Sequence, residues 1–204
     1  MKQRILCAMW FLVLGGARSA QVAPDQIDRI FTSLQSSNAP GAAVLVVDNG
    51  QAVFRRGYGV TDLRTPSPID SHTDFRLASF TKQFTATCVM LLVHDGKLHY
   101  DDHLTDIFPE FPEYGKLITI RNLLNHTSGL PDYEDLLMKQ YPNTPEGKIP
   151  QILDAGVLRL VEQQTAGQFP PGSKWQYSNS GYAVLAMVVE KVSGESFSDR
   201  KSVV

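Results

Sequence analysis

Ser-Phe-Thr-Lys-Gln-Phe-Thr-Ala-Thr-Cys-Val-Met-Leu-Leu-Val-His, residues 79–94, is the stretch that decides the fold. After Lys82, apolar residues fall on every side, a pattern that predicts a helix buried in the middle of a domain. Asp95 and Gly96 mark its end. Because side chains three positions apart are neighbours on a helix, the Lys82 amine is predicted to lie beside the Ser79 hydroxyl, away from water.

This pair has the chemistry of an activated nucleophile. An amine held in low dielectric at the positive end of a helix dipole loses its proton more easily than a surface amine, so neutral Lys82 could accept the proton of Ser79. A serine helix cap followed by a lysine that reaches the surface would have the same pattern, and the motif alone leaves both interpretations open. A second Ser-x-x-Lys, at residues 198–201, lies in a charged stretch with no apolar helix after it. The context therefore favours Ser79.

Residues 1–19 have the pattern of a secretory signal peptide. A basic start is followed by an apolar run over residues 5–14, which is too short to span a bilayer, and by the small residues Ala17 and Ser19. The pattern predicts an exported protein that is periplasmic or secreted and has no stable membrane anchor after cleavage.

Composition excludes some partners. The 204 residues carry a formal net charge of −2, which argues against a nucleic-acid partner. Of the two cysteines, Cys7 lies in the signal peptide and Cys88 lies among apolar residues of the long helix. Cys88 is therefore predicted to be a small core residue.

The chain before residue 79 predicts one helix and one hairpin. Apolar residues at helical spacing indicate an amphipathic helix over Asp25–Ser36. Two apolar runs, Ala42–Val47 and Ala52–Tyr58, flank Asn49 and Gly50, and Asn-Gly between such runs is a strong hairpin signal.

After Gly96 the pattern changes to short helices separated by proline-rich loops. The predicted helical segments are 104–108, 120–124, 151–163 and 182–192. Tyr-x-Asn occurs twice, at residues 141–143 in a proline-rich loop and at residues 177–179 directly before an apolar helix. The second copy is predicted to hold its side chains at the mouth of a core element, as a catalytic pair requires.

A metal site is not expected. His99 and His103 have the i, i+4 spacing of a zinc-binding helix, but the glutamate that such a motif carries at its second position is missing. No cofactor is expected either.

Three ordered motifs together point to a family: Ser79-x-x-Lys82, Leu-Leu-Asn-His-Thr-Ser-Gly-Leu at residues 123–130, and Tyr177-x-Asn179. In this order they resemble the serine β-lactamase and penicillin-binding-protein superfamily, most closely class C β-lactamases, their D,D-peptidase relatives and serine esterases of the same fold. The resemblance covers about residues 27–197. It implies an α+β fold, in which an antiparallel sheet is flanked by helices and lies beside a helical subdomain, with the site between them.

The resemblance also implies roles for individual residues. Ser79 would be the nucleophile, Lys82 its proton partner, and Tyr177 the general base or the acid for the leaving group. Asn179 would donate a hydrogen bond to Lys82 and bind the substrate. Whether Lys82 or Tyr177 is the base in acylation stays open. Ser128 is disfavoured as a nucleophile because neither a Gly-x-Ser-x-Gly elbow nor a lysine accompanies it.

One motif of the family is absent. The strand with Lys or His, then Thr or Ser, then Gly, which in the family supplies the second oxyanion donor, is not found before the sequence stops. We therefore expect residues 20–198 to be a β-lactamase-related domain that is incomplete at its C-terminus and inactive by itself. Residues 199–204 lack the expected apolar continuation and are suspected to be foreign sequence.

The resemblance implies a serine hydrolase that forms an acyl-enzyme at Ser79 with a small-molecule or peptide substrate. β-Lactams, D-alanyl peptides and esters all stay open as substrates. The alternative is a penicillin-binding sensor protein that is acylated without hydrolysis.

Overall fold

The structure is a computed structural model that describes residues 23–36 and 38–201. These form two compact units, one ending at Arg76 and one beginning at Leu77. The predicted signal peptide and residues 202–204 lie outside the described residues. In the part of the chain that is described, no helix is both long and apolar enough to cross a membrane.

The first unit begins with a short helix, α1 (Pro24–Ile30), followed by a 3-10 turn at Thr32–Leu34. Pro24 suits the first position because its fixed φ is already helical. The predicted helix over 25–36 is thus too long, and Ile30, assigned to its apolar face, is 74% exposed. Only Ile27 of this helix is buried, in a small core with Phe54 and Tyr58.

The predicted hairpin is confirmed. Strands β1 (Ala42–Asp48) and β2 (Gln51–Tyr58) pair antiparallel and form a two-stranded sheet. Asn49 and Gly50 connect them with φ of 47° and 77°, as a type I′ turn requires at both central positions. The first unit supplies a helix and this sheet and the second unit supplies helices, so the described chain has the α+β composition that the sequence predicts.

The second unit is helical. It opens with a 3-10 turn at Ala78–Thr81, and its described residues, up to Lys201, form seven α-helices. These are α2 (Lys82–His94), α3 (Leu104–Ile107), α4 (Ile120–Leu124), α5 (Tyr133–Gln140), α6 (Asp154–Glu162), α7 (Asn179–Ser193) and α8 (Phe197–Lys201). Residues 199–201 of the suspected tail thus belong to α8.

Helix α7 forms the centre of the core of this unit. It packs against α2, α4 and α6, and its Val184, Leu185 and Val188 are fully buried. From α2, Cys88 and Leu92 are likewise fully buried, which confirms Cys88 as a core residue.

Two expectations about the helix at 79–94 are wrong. Ser79 does not lie in its first α-helical turn but in the preceding 3-10 turn, because the α-helix begins at Lys82. The helix is also buried on one side only: Thr85 and Val89 are buried, whereas Met90 is 55% exposed. The apolar composition therefore overstated how much of its surface the described chain covers.

The proline-rich part of the chain contains a helix that the sequence prediction missed, α5. Asp132 caps it by accepting the N–H groups of Glu134 and Asp135, and both of these acids suit the positive end of a helix. The pattern of an N-cap followed by acidic residues was available but was hidden between prolines.

Candidate active site

Ser79 lies in the 3-10 turn before α2, and it is exposed rather than held away from water. The residue before it, Ala78, has a left-handed backbone with φ of 48°. This conformation is unfavourable for a residue with a Cβ, so the turn that presents Ser79 is strained.

Replacing Ala78 with glycine should relieve this strain. The left-handed conformation costs an alanine about 1–2 kcal/mol, and the extra freedom of glycine in the unfolded chain offsets about 0.4–1 kcal/mol of the gain. Ala78→Gly should therefore raise the free energy of unfolding by up to about 1.6 kcal/mol in urea denaturation. The matched control, Ala86→Gly inside α2, should lower it by about 1 kcal/mol. If both variants have a lower free energy of unfolding than the wild type, Ala78 is not strained.

The Lys82 side chain lies between Ser79 and Asn179. Its ammonium donates a 2.8 Å hydrogen bond to Oδ1 of Asn179 and reaches Oγ of Ser79 at 3.5 Å. The expected direction of the first bond is thus reversed, because an ammonium has only donors and Asn179 must accept. Asn179 is the first residue of α7, so this bond joins the start of α7 to the start of α2.

Tyr177 makes the shortest contact to the nucleophile candidate. Its hydroxyl lies 2.6 Å from Oγ of Ser79 in a hydrogen bond. The Lys82 Nζ atom is 4.7 Å from the centre of the Tyr177 ring, a cation–π distance. Ser79, Lys82, Tyr177 and Asn179, which the sequence motifs select separately, are therefore brought together, while the roles assigned to them stay predictions.

Two tyrosines near Lys82 have opposite electrostatic surroundings. Burial raises the pKa of Tyr177, but interaction with Lys82 and the hydrogen bond with Ser79 outweigh it, so this pKa is lowered overall. Tyr182 lies 5.5 Å from Lys82 Nζ, measured to the ring centre, and burial followed by the charge of Tyr177 raises its pKa. Its hydroxyl donates to the Leu124 carbonyl. Of the two phenols, only Tyr177 is suited to lose a proton.

The imidazole of His126 lies against both phenol rings. Its ring centre is 4.8 Å from that of Tyr177 and 5.2 Å from that of Tyr182. Nδ1 of His126 accepts the backbone N–H of Ser178 at 3.1 Å. These ring contacts were not predicted from the sequence, where His126 is only part of the motif at residues 123–130. The short sequence separation of Tyr177 and Tyr182 could have indicated two rings beside one site.

Two serines attach the chain around this site to the start of α7. Ser178 is its N-cap and accepts the Gly181 N–H, so α7 begins at Asn179 and not at Tyr182 as predicted. Ser180 is fully buried, donates to the Pro131 carbonyl and accepts the Tyr133 N–H.

The remaining candidates lie in other surroundings. Ser128 is buried, and its Oγ accepts the Leu130 N–H. His99 and His103 do not share a helix; each contacts an aspartate three residues later, at 3.4 Å. Among the described residues there is no group of three or more side chains that could hold a metal ion. Tyr141, in the Tyr-x-Asn at residues 141–143, follows the end of α5.

Comparison with known proteins identifies the family. The Beta-lactamase family model matches residues 27–200. The chain belongs to the beta-lactamase family. The fold is that of β-lactamases and transpeptidases, with helices and a small antiparallel sheet.

Individual relatives are similar over most of the chain. Penicillin-binding protein 4* of Bacillus subtilis (strain 168) is 34% identical over 173 residues, which is 85% of this chain and 37% of the relative. The D-amino acid amidase of Ochrobactrum anthropi SV3 superposes with a TM-score of 0.66 at 27% identity, covering 86% of this chain and 45% of the amidase. EstCE1, described as a hydrolase with promiscuous acyltransferase activity, superposes with a TM-score of 0.69 at 24% identity, covering 88% of this chain and 48% of EstCE1. At that identity EstCE1 supports the fold alone.

The chain spans about a third of the length of the curated relatives it matches.

Proposed function

We propose that this protein is an exported serine hydrolase that forms an acyl-enzyme at Ser79 with β-lactam, D-alanyl peptide or ester substrates. The observation that carries the proposal is the 2.6 Å hydrogen bond between the hydroxyls of Tyr177 and Ser79 beside the ammonium of Lys82. A hydroxyl becomes a strong nucleophile when a positioned base takes its proton, and this contact has the length that such a transfer needs.

In the proposed acylation, Oγ of Ser79 attacks the carbonyl carbon of the substrate and forms a new C–O bond. The Ser79 proton passes to the phenolate oxygen of Tyr177, and the carbonyl becomes an oxyanion. When this intermediate collapses, the bond to the leaving nitrogen or oxygen breaks and Tyr177 returns the proton to the leaving group. In deacylation, water attacks the acyl carbon and its proton passes to the Tyr177 phenolate. The bond between that carbon and Oγ of Ser79 then breaks, and Tyr177 returns the proton to Oγ.

The distances favour Tyr177 over Lys82 as the base. Tyr177 lies 2.6 Å from Oγ of Ser79, whereas Lys82 Nζ lies 3.5 Å away and already donates to Asn179. In this proposal Lys82 remains an ammonium that stabilises the Tyr177 phenolate. Asn179 orients Lys82 through Oδ1, which leaves the amide nitrogen of Asn179 to donate to the substrate.

The names of two relatives support the substrate class. One similar protein is a penicillin-binding protein and another is a D-amino acid amidase. A site that accepts the amide of a β-lactam or of a D-amino acyl group would be consistent with both names. We therefore place amides of D-amino acyl type, D-alanyl peptides included, before simple esters. Export to the periplasm or the medium, as residues 1–19 predict, would bring the protein to such substrates.

Intact-mass analysis tests the proposal on the native gene product. After mixing with benzylpenicillin, a D-alanyl-D-alanine peptide or p-nitrophenyl acetate, the protein should gain the mass of one acyl group, and more than one equivalent of product should accumulate. A burst of one equivalent without steady turnover would instead identify the penicillin-binding sensor protein. No adduct and no product with any of the three would contradict both.

A further inference from the structure

The proposed mechanism gives no task to His126, although its imidazole contacts the ring of Tyr177, which would carry the proton. The ring packs against those of Tyr177 and Tyr182, at 4.8 and 5.2 Å between centres, with tilts of 35° and 37°. The same two phenol rings face Lys82 Nζ, at 4.7 and 5.5 Å. Lys82 and His126 are therefore two basic groups that share two aromatic neighbours.

The backbone at His126 is held in an unusual conformation. Its φ is 60°, in the left-handed region that few residues with a Cβ adopt. The His126 carbonyl accepts the Gln176 N–H at 2.9 Å, and its Nδ1 atom accepts the Ser178 N–H at 3.1 Å. These two bonds hold the residues on either side of Tyr177. The loop that carries His126 thus fixes the backbone from which the Tyr177 ring projects.

The bond from Ser178 requires one protonation state. Because Nδ1 accepts a hydrogen bond from the Ser178 N–H, it cannot carry a hydrogen itself. The imidazole is therefore neutral, with its hydrogen on Nε2. Burial, and then the charge of Lys82, lower the pKa of His126. A protonated His126 would lose the bond from Ser178 and would bring a second cation toward Lys82.

We propose that neutral His126 is a positioning residue that holds the Tyr177 phenol in line with Ser79, and that protonation of His126 releases it. The inference rests on the proposed function, because it assigns a task within that proton transfer. His126 itself touches neither the nucleophile nor the substrate in this account.

A pH dependence follows from the groups around the ring. The rings of Tyr177 and Tyr182 pack against the imidazole, and the charge of Lys82 on α2 acts on it. Glu134 adds a negative charge near Tyr177. Loss of the Tyr177 phenolate already lowers the acylation rate as the pH falls. Since the pKa of His126 is lowered, its neutral form persists below the ordinary value of 6.5 and is lost only at more acidic pH. The rate should therefore show a second, steeper fall below pH 6.5.

Two variants separate the acceptor from the ring. His126→Asn tolerates the left-handed backbone and places Oδ1 where Nδ1 was, so it keeps an acceptor for Ser178 but cannot be protonated in this range. His126→Phe keeps a ring that can pack against both tyrosines but has no acceptor for the Ser178 N–H. His99→Asn, on an exposed histidine, is the matched control.

The experiment measures the rate constant of Ser79 labelling by a fluorescent penicillin between pH 4.5 and 9 in the native gene product. The second fall should be present in the wild type and in His99→Asn, and absent in His126→Asn. His126→Phe should label more slowly at every pH, by up to about 100-fold, because a base displaced by about 1 Å loses that much. Thermal melts check that each variant is folded.

The outcomes distinguish this inference from the function on which it rests. A wild-type protein that is not labelled at any pH would remove the proposed function and this inference together. Labelling in which the second fall persists in His126→Asn would leave the function and overturn the role of His126. The pH profile of His126→Asn decides this even if His126→Phe does not fold.

Discussion

Ser79→Ala is expected to abolish covalent labelling of the native gene product by a fluorescent penicillin or a fluorophosphonate probe. The substitution removes the one oxygen that lies 2.6 Å from Tyr177 Oη and 3.5 Å from Lys82 Nζ. Without this oxygen the acyl group has no atom to which it can bond. We therefore expect a complete loss of labelling and not a lower labelling rate. Gel fluorescence and intact mass measure the result directly.

Two other serines serve as controls for this prediction. Ser128 lies in the motif at residues 123–130 but is buried, and Ser198 belongs to the second Ser-x-x-Lys of the chain. Ser128→Ala and Ser198→Ala should retain labelling at the wild-type level, once thermal melts show that they are folded. Labelling that survives Ser79→Ala would remove the assignment of the nucleophile.

The sequence predicted the elements that local chemistry determines. The hairpin turn was predictable because Asn49 and Gly50 tolerate positive φ, and the observed values of 47° and 77° need that tolerance. The ends of α2 and α7 were predictable because a glycine follows each helix. Gly96 and Gly194 both adopt the left-handed backbone conformation that commonly ends a helix. Such signals act within a few residues of the position that they determine.

Burial was less predictable, because it depends on what packs from elsewhere. The helix at 79–94 was expected to be covered all round, yet Phe80 is 63% exposed and Met90 55% exposed. The sequence shows that these side chains are apolar, but it does not show which of them pack against another element. The start of this helix was misplaced for a related reason, since the strained Ala78 puts Ser79 into a 3-10 turn that no residue preference indicates.

The site divides in the same way. Motifs selected Ser79, Lys82, Tyr177 and Asn179, because their chemistry and their place before apolar helices are visible in the sequence. The motifs did not select Tyr182 or His126 as site residues. Both matter through ring contacts, and His126 is 51 residues from Tyr177 and 56 residues from Tyr182 in the sequence, so these contacts are not visible there. The direction of the Lys82–Asn179 bond was also missed, although an ammonium can only donate.

Lys82→Ala and Tyr177→Phe should each lower the acylation rate by at least about 100-fold, the usual contribution of a positioned acid or base. Tyr177→Phe removes the oxygen that accepts the Ser79 proton. Lys82→Ala removes the cation that stabilises the phenolate. If the two side chains act as one proton-transfer unit, the double variant should be little slower than the slower single variant. Stopped-flow acylation measures all three, and Tyr141→Phe, from the other Tyr-x-Asn, should stay near wild type.

The pH dependence of these variants tests which group is the base. In the wild type, burial raises the pKa of Tyr177, but Lys82 and the Ser79 hydrogen bond together lower it by more. The net pKa is therefore below the ordinary value of 10.0, and the phenolate persists below that pH. The acylation rate should be lost as the pH falls through this lowered value. Removing Lys82 removes an interaction that lowers the pKa of Tyr177, while burial still raises it. The midpoint of the pH–rate profile of Lys82→Ala should therefore move to higher pH, and alkaline buffer should restore part of the acylation rate. Single-variant losses that simply multiply, together with an unmoved midpoint in Lys82→Ala, would mean that Lys82 and Tyr177 act independently and that Tyr177 is not the base.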